Sequence, residues 1–285
     1  MVLRLILFLS FLLFSSCRLS AQVKRNNLEI YALRYAQTKS MDPLHYVAKN
    51  APDSLLFEPV FMFWLIKYFD NKNILVDAGF VNDLNSFGQR YNIKSYIRPD
   101  SLLQKIGVAS GQITDIIITH PHRDHIDGVD LFPDAQLWMQ KEDYQFFAKD
   151  AWEMDDSAHG YMKRDVAKIG RAEQENRLNL VDGEAEILPG IAVYTGSRHT
   201  FNSQYVVVET LDHSIVLASD NAYSYYNIEH SVSAPSYATL DTLGYVTQID
   251  RMKSMVTKND YIIPGHDGLV FKKFKKVIEG IVRIY

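Results

Sequence analysis

Short runs of apolar residues, separated by polar turns, recur along most of the chain. Their length and their content of β-branched side chains are typical of buried strands. Residues 60–69 form the most apolar of these runs, and the polar turn at residues 70–73 predicts a hairpin with residues 74–77. Further strands are predicted over residues 28–36, 113–118, 135–139, 177–181, 186–188, 191–195, 204–210, 214–219 and 261–263.

Helices are predicted where the apolar positions recur every three or four residues. They cover residues 101–106, 141–148, 240–256 and 272–284, and residues 37–56 and 80–99 are predicted to be loops. No linker rich in Pro, Gly or Ser separates the two halves of the chain. We therefore predict one α+β domain over residues 22–285, with two packed mixed sheets and helices outside them.

A charged, helix-prone segment over residues 150–176 interrupts this pattern. It fits a solvated insert on the edge of the core. It also fits a lid over a functional site, because long inserts in compact domains are often functional.

The first 21 residues form a separate segment. A weakly positive start is followed by an apolar run at residues 5–14 and then by small residues up to Ala21. This pattern predicts a secretory signal peptide cleaved after Ala21, because the apolar run is too short to span a membrane. The alternative is a lipoprotein acylated at Cys17. Either way, we expect a periplasmic or extracellular protein with no transmembrane segment in the mature chain.

Composition limits the kinds of function. The chain has 285 residues, of which 47% are hydrophobic, so it can bury a full core. The formal net charge of −4 and the lack of a long basic run argue against nucleic-acid binding. Cys17 is the only cysteine, so a metal site in the mature chain must be built from His, Asp and Glu.

A dense cluster of polar side chains follows the predicted strand at residues 113–118. Pro121 has no N–H to continue a strand ladder, and His120, His122, Asp124 and His125 lie within six residues around it. Imidazole nitrogen and carboxylate oxygen are the ligands that Zn²⁺, Fe²⁺ and Mn²⁺ accept. A solvated loop that contains several histidines by chance is the alternative.

Three more candidate ligands each come directly after a predicted strand: His199, Asp220 and His266. Any one of them alone fits a turn or capping residue. Together with the cluster they make seven ligands, which is the inventory for two metal ions that share a carboxylate. Loops on a rigid scaffold are where such sites are assembled.

With these residues the chain resembles the metallo-β-lactamase-fold hydrolases, whose H-x-H-x-D-H motif matches residues 120–125. The resemblance implies an αββα sandwich and two divalent metal ions, with zinc as the first choice and iron or manganese as alternatives. It implies these roles: His120, His122 and His199 bind the first ion, Asp124, His125 and His266 bind the second, Asp220 bridges them, and Asp77 supports the metal loop.

The chain departs from that family around the third histidine. The family usually has Gly before it and Pro-Gly after the following Thr, whereas here Arg198 precedes His199 and Phe201 follows Thr200. Arg198 and Phe201 are therefore candidate substrate contacts, with Arg198 suited to an anionic group.

The segment after Asp220 resembles that of the quorum-quenching N-acyl homoserine lactonases, which have a Tyr three residues after the bridging Asp, as Tyr223 is here. The resemblance implies that a metal-bridging hydroxide, oriented by Asp124 and Asp220, opens a lactone or ester while Tyr223 contacts the substrate carbonyl. Tyr223 also fits a packing aromatic. A glyoxalase-II-like thioesterase has the same ligand set and stays open, as does a non-catalytic periplasmic metal-binding protein.

Overall fold

The computed structural model describes residues 28–81, 91–153 and 160–285. The predicted signal peptide over residues 1–21, with Cys17 and the cleavage site at Ala21, lies outside these ranges, as does part of the insert. Within these ranges, no helix has both the length and the apolar character needed to cross a membrane.

The larger of two packed sheets is built mainly from the first half of the chain. Its described strands are β1 (Glu29–Thr38), β4 (Val60–Lys67), β5 (Asn73–Val76), β6 (Ile93–Tyr96), β7 (Ile113–Ile117), β8 (Gln136–Gln140), β9 (Leu178–Val181), β15 (Lys275–Ile278) and β16 (Ile281–Arg283). They are ordered β15-β16-β1-β4-β5-β7-β8-β9, with β6 paired to β1. The sheet is mixed, because β1, β4 and β5 are antiparallel whereas β5, β7, β8 and β9 are parallel.

The smaller sheet comes from the second half of the chain. Its strands, in sheet order, are β10 (Ala185–Leu188), β11 (Ile191–Thr195), β12 (Gln204–Glu209), β13 (Ser214–Ser219) and β14 (Ile262–Pro264). Only the β13–β14 pair among them is parallel. A separate two-stranded pair is formed by β2 (Asp42–Pro43) and β3 (Leu56–Phe57) within the predicted loop.

Strand β4 shows why the central runs are apolar throughout. Trp64 and Ile66 point into the core that also contains residues of the smaller sheet, whereas Phe63 and Leu65 point into a second core on the opposite face. A strand that is buried on both faces has no solvent-facing positions, so its sequence does not alternate.

Helices cover the outer faces of both sheets. They are α1 (Pro99–Gln104), α2 (Arg123–Ile126), α3 (Lys141–Ala148), α4 (Lys163–Gln174), α5 (Tyr225–His230), α6 (Thr242–Met255) and α7 (Val270–Lys273). Short 3₁₀ turns lie at Leu44–Tyr46, Ser110–Gln112, Asp127–Leu131, Asp150–Glu153 and Asn259–Tyr261. Leu102, Phe147 and Ile169 of α1, α3 and α4 pack on the larger sheet, and Ile249 of α6 packs with the smaller one. The predicted αββα sandwich is confirmed.

The predicted helix over residues 272–284 is wrong. The chain forms only the short α7 there and then the hairpin β15–β16, whose turn contains Gly280 with a φ of +79°. Strand β16 pairs with β1 and extends the larger sheet. The β-branched residues of this segment suit a strand. Without β16, this edge of β1 would be left unpaired, and a helical sequence pattern does not reveal that such a partner is available.

Strand β6 and helix α5 were also not predicted. Strand β6 (Ile93–Tyr96) lies within the predicted loop at residues 80–99, and pairing with the end of β1 stabilises it although two of its residues are exposed. Helix α5 begins after Ser224, whose hydroxyl accepts a hydrogen bond from the backbone N–H of Asn227.

Candidate metal centre

The motif loop, residues 119–128, leaves the carboxyl end of β7 and turns at once into helix α2. Strand β7 lies between two parallel neighbours, so the loop starts from a rigid point. His122 stands at the N-cap position of α2, and Asp124 and His125 lie in its first turn. The four motif side chains therefore project from one compact turn.

The smaller sheet supplies three further side chains. His199 lies in the connection between β11 and β12, residues 196–203, which we call the His199 loop. Asp220 directly follows β13, and only Gly265 separates His266 from the end of β14. Because β13 and β14 are parallel neighbours, their carboxyl ends lie side by side.

The structure brings together all seven residues that the sequence singled out as ligands. They form three overlapping groups, in each of which the ligand atoms lie within 4.8 Å of one another. The groups are His120, His122 and His199; His120, His125 and Asp220; and Asp124, His125 and His266.

The carboxylate of Asp220 lies at the centre of this arrangement. Its Oδ2 is 3.2 Å from Nε2 of His199 and 3.8 Å from Nε2 of His120. Its Oδ1 is 2.9 Å from Nε2 of His266 and 3.5 Å from Nε2 of His125. The two oxygens of one carboxylate thus face two different pairs of imidazoles.

Three of the imidazoles are oriented by hydrogen bonds from the ring nitrogen that faces away from the pocket. The acceptors are Asp77 Oδ2 for His125 (2.7 Å), the Ala238 carbonyl for His199 (2.8 Å) and the Val60 carbonyl for His266 (2.9 Å). Donation from Nδ1 sets the tautomer and leaves the Nε2 lone pair directed at the pocket.

Asp77 ties the centre to the two sheets. Its buried carboxylate accepts hydrogen bonds from the backbone N–H of Thr119 (2.8 Å), the Thr119 hydroxyl (2.9 Å) and the Ser219 hydroxyl (3.2 Å), in addition to His125. The φ of Asp77 is +65°, a left-handed conformation that Asp tolerates better than most residues. One carboxylate therefore joins the end of β5, the motif loop and the end of β13.

Burial and charge favour the metal-binding forms of His120, His122 and Asp220. Burial and the neighbouring His199 lower the pKa of His122 to about 3, and burial and His125 lower the pKa of His120 well below its usual value. For Asp220, burial acts to raise the pKa, but His266 and the other imidazoles outweigh it and hold the pKa well below its usual range. Neutral imidazole and ionised carboxylate are the metal-binding forms. For His125 and His266, burial acts to lower the pKa, but the neighbouring carboxylates outweigh it and raise the pKa above its usual value.

The pocket fits divalent cations. Nε2 of His120 and Nε2 of His125 are buried and have no hydrogen-bond partner in the described part of the chain. An unpaired buried polar atom is costly, and a cation that binds the converging lone pairs removes that cost. A donor set of nitrogen and carboxylate oxygen without sulfur suits Zn²⁺, Fe²⁺ or Mn²⁺.

The three predicted substrate contacts lie on the rim. The Tyr223 hydroxyl is 3.2 Å from Nδ1 of His199, and its ring centre is 5.6 Å from that of His266. Arg198 is exposed, and its guanidinium lies 5.3 Å from the ring centre of Phe201. The φ of Arg198 is +54°, so this residue adopts the left-handed conformation that a glycine adopts at no steric cost.

The insert packs against the motif loop. The buried Tyr161 ring lies 5.0 Å from the His122 ring, and the backbone N–H of Arg123 donates to the Gly160 carbonyl. A Cβ atom at Gly160 would come within 2.9 Å of the His122 ring. Gly160 and Tyr161 of the insert therefore pack directly against the motif loop, and this part of the insert is not a solvated segment.

Comparison with known families identifies this arrangement. The sequence model of the metallo-beta-lactamase superfamily matches residues 62–266. The chain belongs to the metallo-β-lactamase superfamily. The predictions of the family and of a hydrolase of this superfamily are confirmed.

Relatives within the metallo-β-lactamase superfamily include N-acyl homoserine lactonases. AiiA of Bacillus thuringiensis subsp. kurstaki is 26% identical over 230 residues, which cover 76% of this chain and 84% of that protein. An N-acyl homoserine lactone hydrolase, solved with the product N-hexanoyl-L-homoserine at its catalytic metal centre, has a TM-score of 0.68 at 21% identity and covers 87% of this chain and 97% of its own. AidC, a dizinc quorum-quenching lactonase, has a TM-score of 0.61 at 16% identity, with coverage of 90% and 94%.

Sequence reasoning missed the side chains that hold this metallo-β-lactamase centre from behind. The Tyr35 hydroxyl donates to the backbone carbonyl of Asp124 (2.8 Å). Gln204 bridges the two sheets, because its Nε2 donates to the Ile118 carbonyl (2.7 Å) and its backbone N–H donates to the Thr119 carbonyl (2.8 Å). The one sequence signal for this bridge is a Gln at the start of an apolar strand, and the structure shows that this Gln is fully buried.

Proposed function

We propose that the protein is a dinuclear metal-dependent hydrolase that opens lactones, with N-acyl homoserine lactones as the first substrate class. One observation carries the dinuclear part. The two oxygens of Asp220 face two separate pairs of imidazoles, His120 with His199 and His125 with His266. A shared carboxylate between two ligand sets is what two neighbouring ions require.

The lactone part is supported by the relatives and by Tyr223. The relatives described above are named for lactone hydrolysis, and one of them is named as a dizinc enzyme. Zinc is therefore the first metal to test. Tyr223 lies between His199 and His266 on the rim. Burial and the neighbouring Asp220 raise the pKa of the Tyr223 phenol well above its usual value, so it stays protonated and can donate a hydrogen bond at neutral pH.

The reaction adds water across the ring C–O bond. When bound, two ions lower the pKa of water and polarise the carbonyl oxygen of an ester. The side chain of Asp124 is 18% exposed and that of Asp220 only 5%. We therefore assign Asp124 to accept the proton that the attacking water loses and to pass it to the leaving alkoxide. We assign Tyr223 to donate a hydrogen bond to the substrate carbonyl. Arg198 and Phe201 would contact the rest of the substrate.

The test is metal analysis and a substrate panel on the purified chain. We expect about two metal ions per chain and metal-dependent turnover of an acyl homoserine lactone. A thioester, a phosphodiester and nitrocefin serve as competing substrates. Preference for the thioester would move the assignment to a glyoxalase-II-like enzyme, and metal binding without turnover of any substrate would support the non-catalytic alternative.

Replacing Tyr223 with Phe tests the role of its hydroxyl. We expect kcat on the lactone to fall about 10-fold, the size of one hydrogen bond of about 1.4 kcal/mol in the transition state, with unchanged metal content. Tyr226→Phe is the matched control, because the Tyr226 ring packs against His230, with ring centres 4.0 Å apart, and lies outside the proposed active site. Equal rates for Tyr223→Phe and the unmodified enzyme would remove Tyr223 from the mechanism.

We also propose that the enzyme acts after export, because its first 21 residues have the pattern of a signal peptide. N-terminal sequencing and intact mass of the protein from the native host test this. A mature chain that begins at Gln22 supports cleavage, an acylated Cys17 supports the lipoprotein alternative, and an intact Met1 contradicts export by either route.

A further inference from the structure

We propose that Asn221 is a positioning residue whose carboxamide sets the place of His199 relative to Asp220. This inference rests on the proposed function, since it requires a metal ion that His199 and Asp220 share. Asn221 directly follows Asp220, and its side chain reaches the His199 loop rather than the metal pocket.

The carbonyl oxygen of the amide holds both ends of the His199 loop. Oδ1 of Asn221 accepts hydrogen bonds from the backbone N–H of Ser197 (2.8 Å), the Ser197 hydroxyl (3.1 Å) and the Ser203 hydroxyl (2.8 Å). These two serines flank His199 in the chain. A single atom therefore fixes the loop on both sides of the ligand.

The amide nitrogen holds the strands on which the loop stands. Nδ2 of Asn221 donates to the Gln204 carbonyl at the start of β12 (3.0 Å) and to the Ala218 carbonyl in β13 (3.0 Å). Asn221 is fully buried, so both amide protons and the oxygen find their partners inside the protein. Rotating the amide by 180° would set its NH₂ against the serine donors, so only one orientation is stable.

The backbone of the loop is shaped to this side chain. A Cβ atom at Gly196 would lie 1.9 Å from Oδ1 of Asn221, which is far inside any allowed contact. Glycine at this position therefore lets the loop close on the amide. The loop is closed at the same point by a hydrogen bond from the Gly196 N–H to the Ser203 carbonyl.

The result is a fixed spacing within the centre. Nε2 of His199 lies 3.2 Å from Oδ2 of Asp220, and the residue after Asp220 anchors the loop that carries His199. If the amide is lost, His199 can move while Asp220 stays at the end of β13. We therefore expect the ion that binds His120, His122 and His199 to be affected more than the ion that binds Asp124, His125 and His266.

Asn221→Asp tests this with almost no change in shape. A carboxylate oxygen would replace the NH₂ group and face the Gln204 and Ala218 carbonyls, so the two donated hydrogen bonds would become repulsions. Asn227→Asp is the matched control. Asn227 is equally buried, accepts from Ser224 and donates to the Val47 and Val232 carbonyls, and is not part of the centre.

The readout is Zn²⁺ affinity, measured by competition with a chromophoric chelator on metal-free protein. We expect two binding steps in the unmodified protein, one of which weakens 10- to 100-fold in Asn221→Asp, the usual effect of losing a group that orients a ligand. His199→Ala and His266→Ala identify the two steps. Asn227→Asp should lower the melting temperature and leave both affinities unchanged.

The outcomes separate the two proposals. If both Zn²⁺ affinities are unchanged in Asn221→Asp, the positioning role is overturned and the proposed function stays intact. The same holds if Asn227→Asp loses as much Zn²⁺ affinity as Asn221→Asp. Failure of the unmodified protein to bind Zn²⁺ would overturn the proposed dinuclear centre and this inference with it.

A second pair of variants covers the case in which Asn221→Asp does not fold. Gly196→Ala alone should weaken the step assigned to His199, because the new methyl group displaces the amide. In an Asn221→Ala background the three amide atoms that the new methyl group would meet first are gone, so the same substitution should cause much less further loss. Equal losses in both backgrounds would show that the amide does not set the loop.

Discussion

The two loops that carry the centre are held by different chemistry. The motif loop is fixed by charge: the Asp77 carboxylate binds His125 and Thr119, and Asp127 further along binds Lys168 and Arg164 of the insert. The His199 loop is fixed mainly by the neutral amide of Asn221. Charged hydrogen bonds are stronger, whereas a neutral amide fixes a loop without adding charge beside the ions.

The two loops also differ in whether the buried carboxylates that hold them are paired with cations. Asp143 at the start of α3 accepts hydrogen bonds from the Thr200 hydroxyl (2.6 Å) and the Asn202 N–H (2.8 Å) of the His199 loop. Within the part of the chain that the structure describes, no cation pairs with Asp143, and burial raises its pKa to about 6. The Asp127 carboxylate that holds the motif loop is therefore paired with cations. The Asp143 carboxylate that holds the His199 loop is not, so its ionisation costs free energy.

The largest expected effect comes from replacing Asp220, whose carboxylate faces imidazoles of both loops. Asp220→Asn removes the charge and one of the two equivalent oxygens, so we expect kcat/KM to fall about 10³-fold or more, since metal-based stabilisation of the transition state is worth several kcal/mol. Steady-state kinetics and metal content measure this. Asp182→Asn, at an exposed carboxylate, should behave like the unmodified enzyme. Near-normal activity of Asp220→Asn would contradict the shared-carboxylate arrangement.

The next effect is specific to the His199 loop. Because the folded-state pKa of Asp143 lies above its ordinary value of 3.8, its contribution to stability is complete below about pH 4 and is lost as the pH rises towards about 6. This difference corresponds to about 3 kcal/mol. The free energy of unfolding of the unmodified protein should therefore fall between about pH 4 and pH 6. In Asp143→Asn this fall should be absent.

Urea unfolding at several pH values measures how the free energy of unfolding changes with pH. A chelator is present so that the pH dependence of metal binding does not contribute. Asp182→Asn, at an exposed carboxylate, is the control and should keep the slope of the unmodified protein. If Asp143→Asn and the unmodified protein have parallel stability curves, Asp143 is not the group responsible.

The smallest effect tests the charged anchor of the motif loop. Asp77→Asn keeps the left-handed backbone, which Asn also tolerates, but turns an NH₂ group towards one of the donors. We expect a 10- to 100-fold loss of metal affinity, greater for the ion bound by His125. Asp115→Asn is the matched control, because Asp115 is a buried carboxylate on β7 that binds Trp138 away from the centre. Equal losses in both variants would assign Asp77 a general structural role.

Much of the framework could be predicted from local patterns. Runs such as residues 60–69 are buried on both faces, so they are recognisable as strands without knowing their neighbours. The motif ligands were also recognisable, because four of them lie within six residues. The terminal hairpin was not, because its apolar spacing fits a helix and only the free edge of β1 favours strands.

The chemistry of the centre is already visible along the chain: five imidazoles and two carboxylates that follow apolar runs, with no thiolate among them. How these groups are held becomes visible only in the folded protein. The contacts of Asn221 with Ser197 and Ser203, and of Asp77 with Ser219, join residues far apart in the chain. A buried polar residue shows its hydrogen-bond partners only after folding has removed water as the alternative partner.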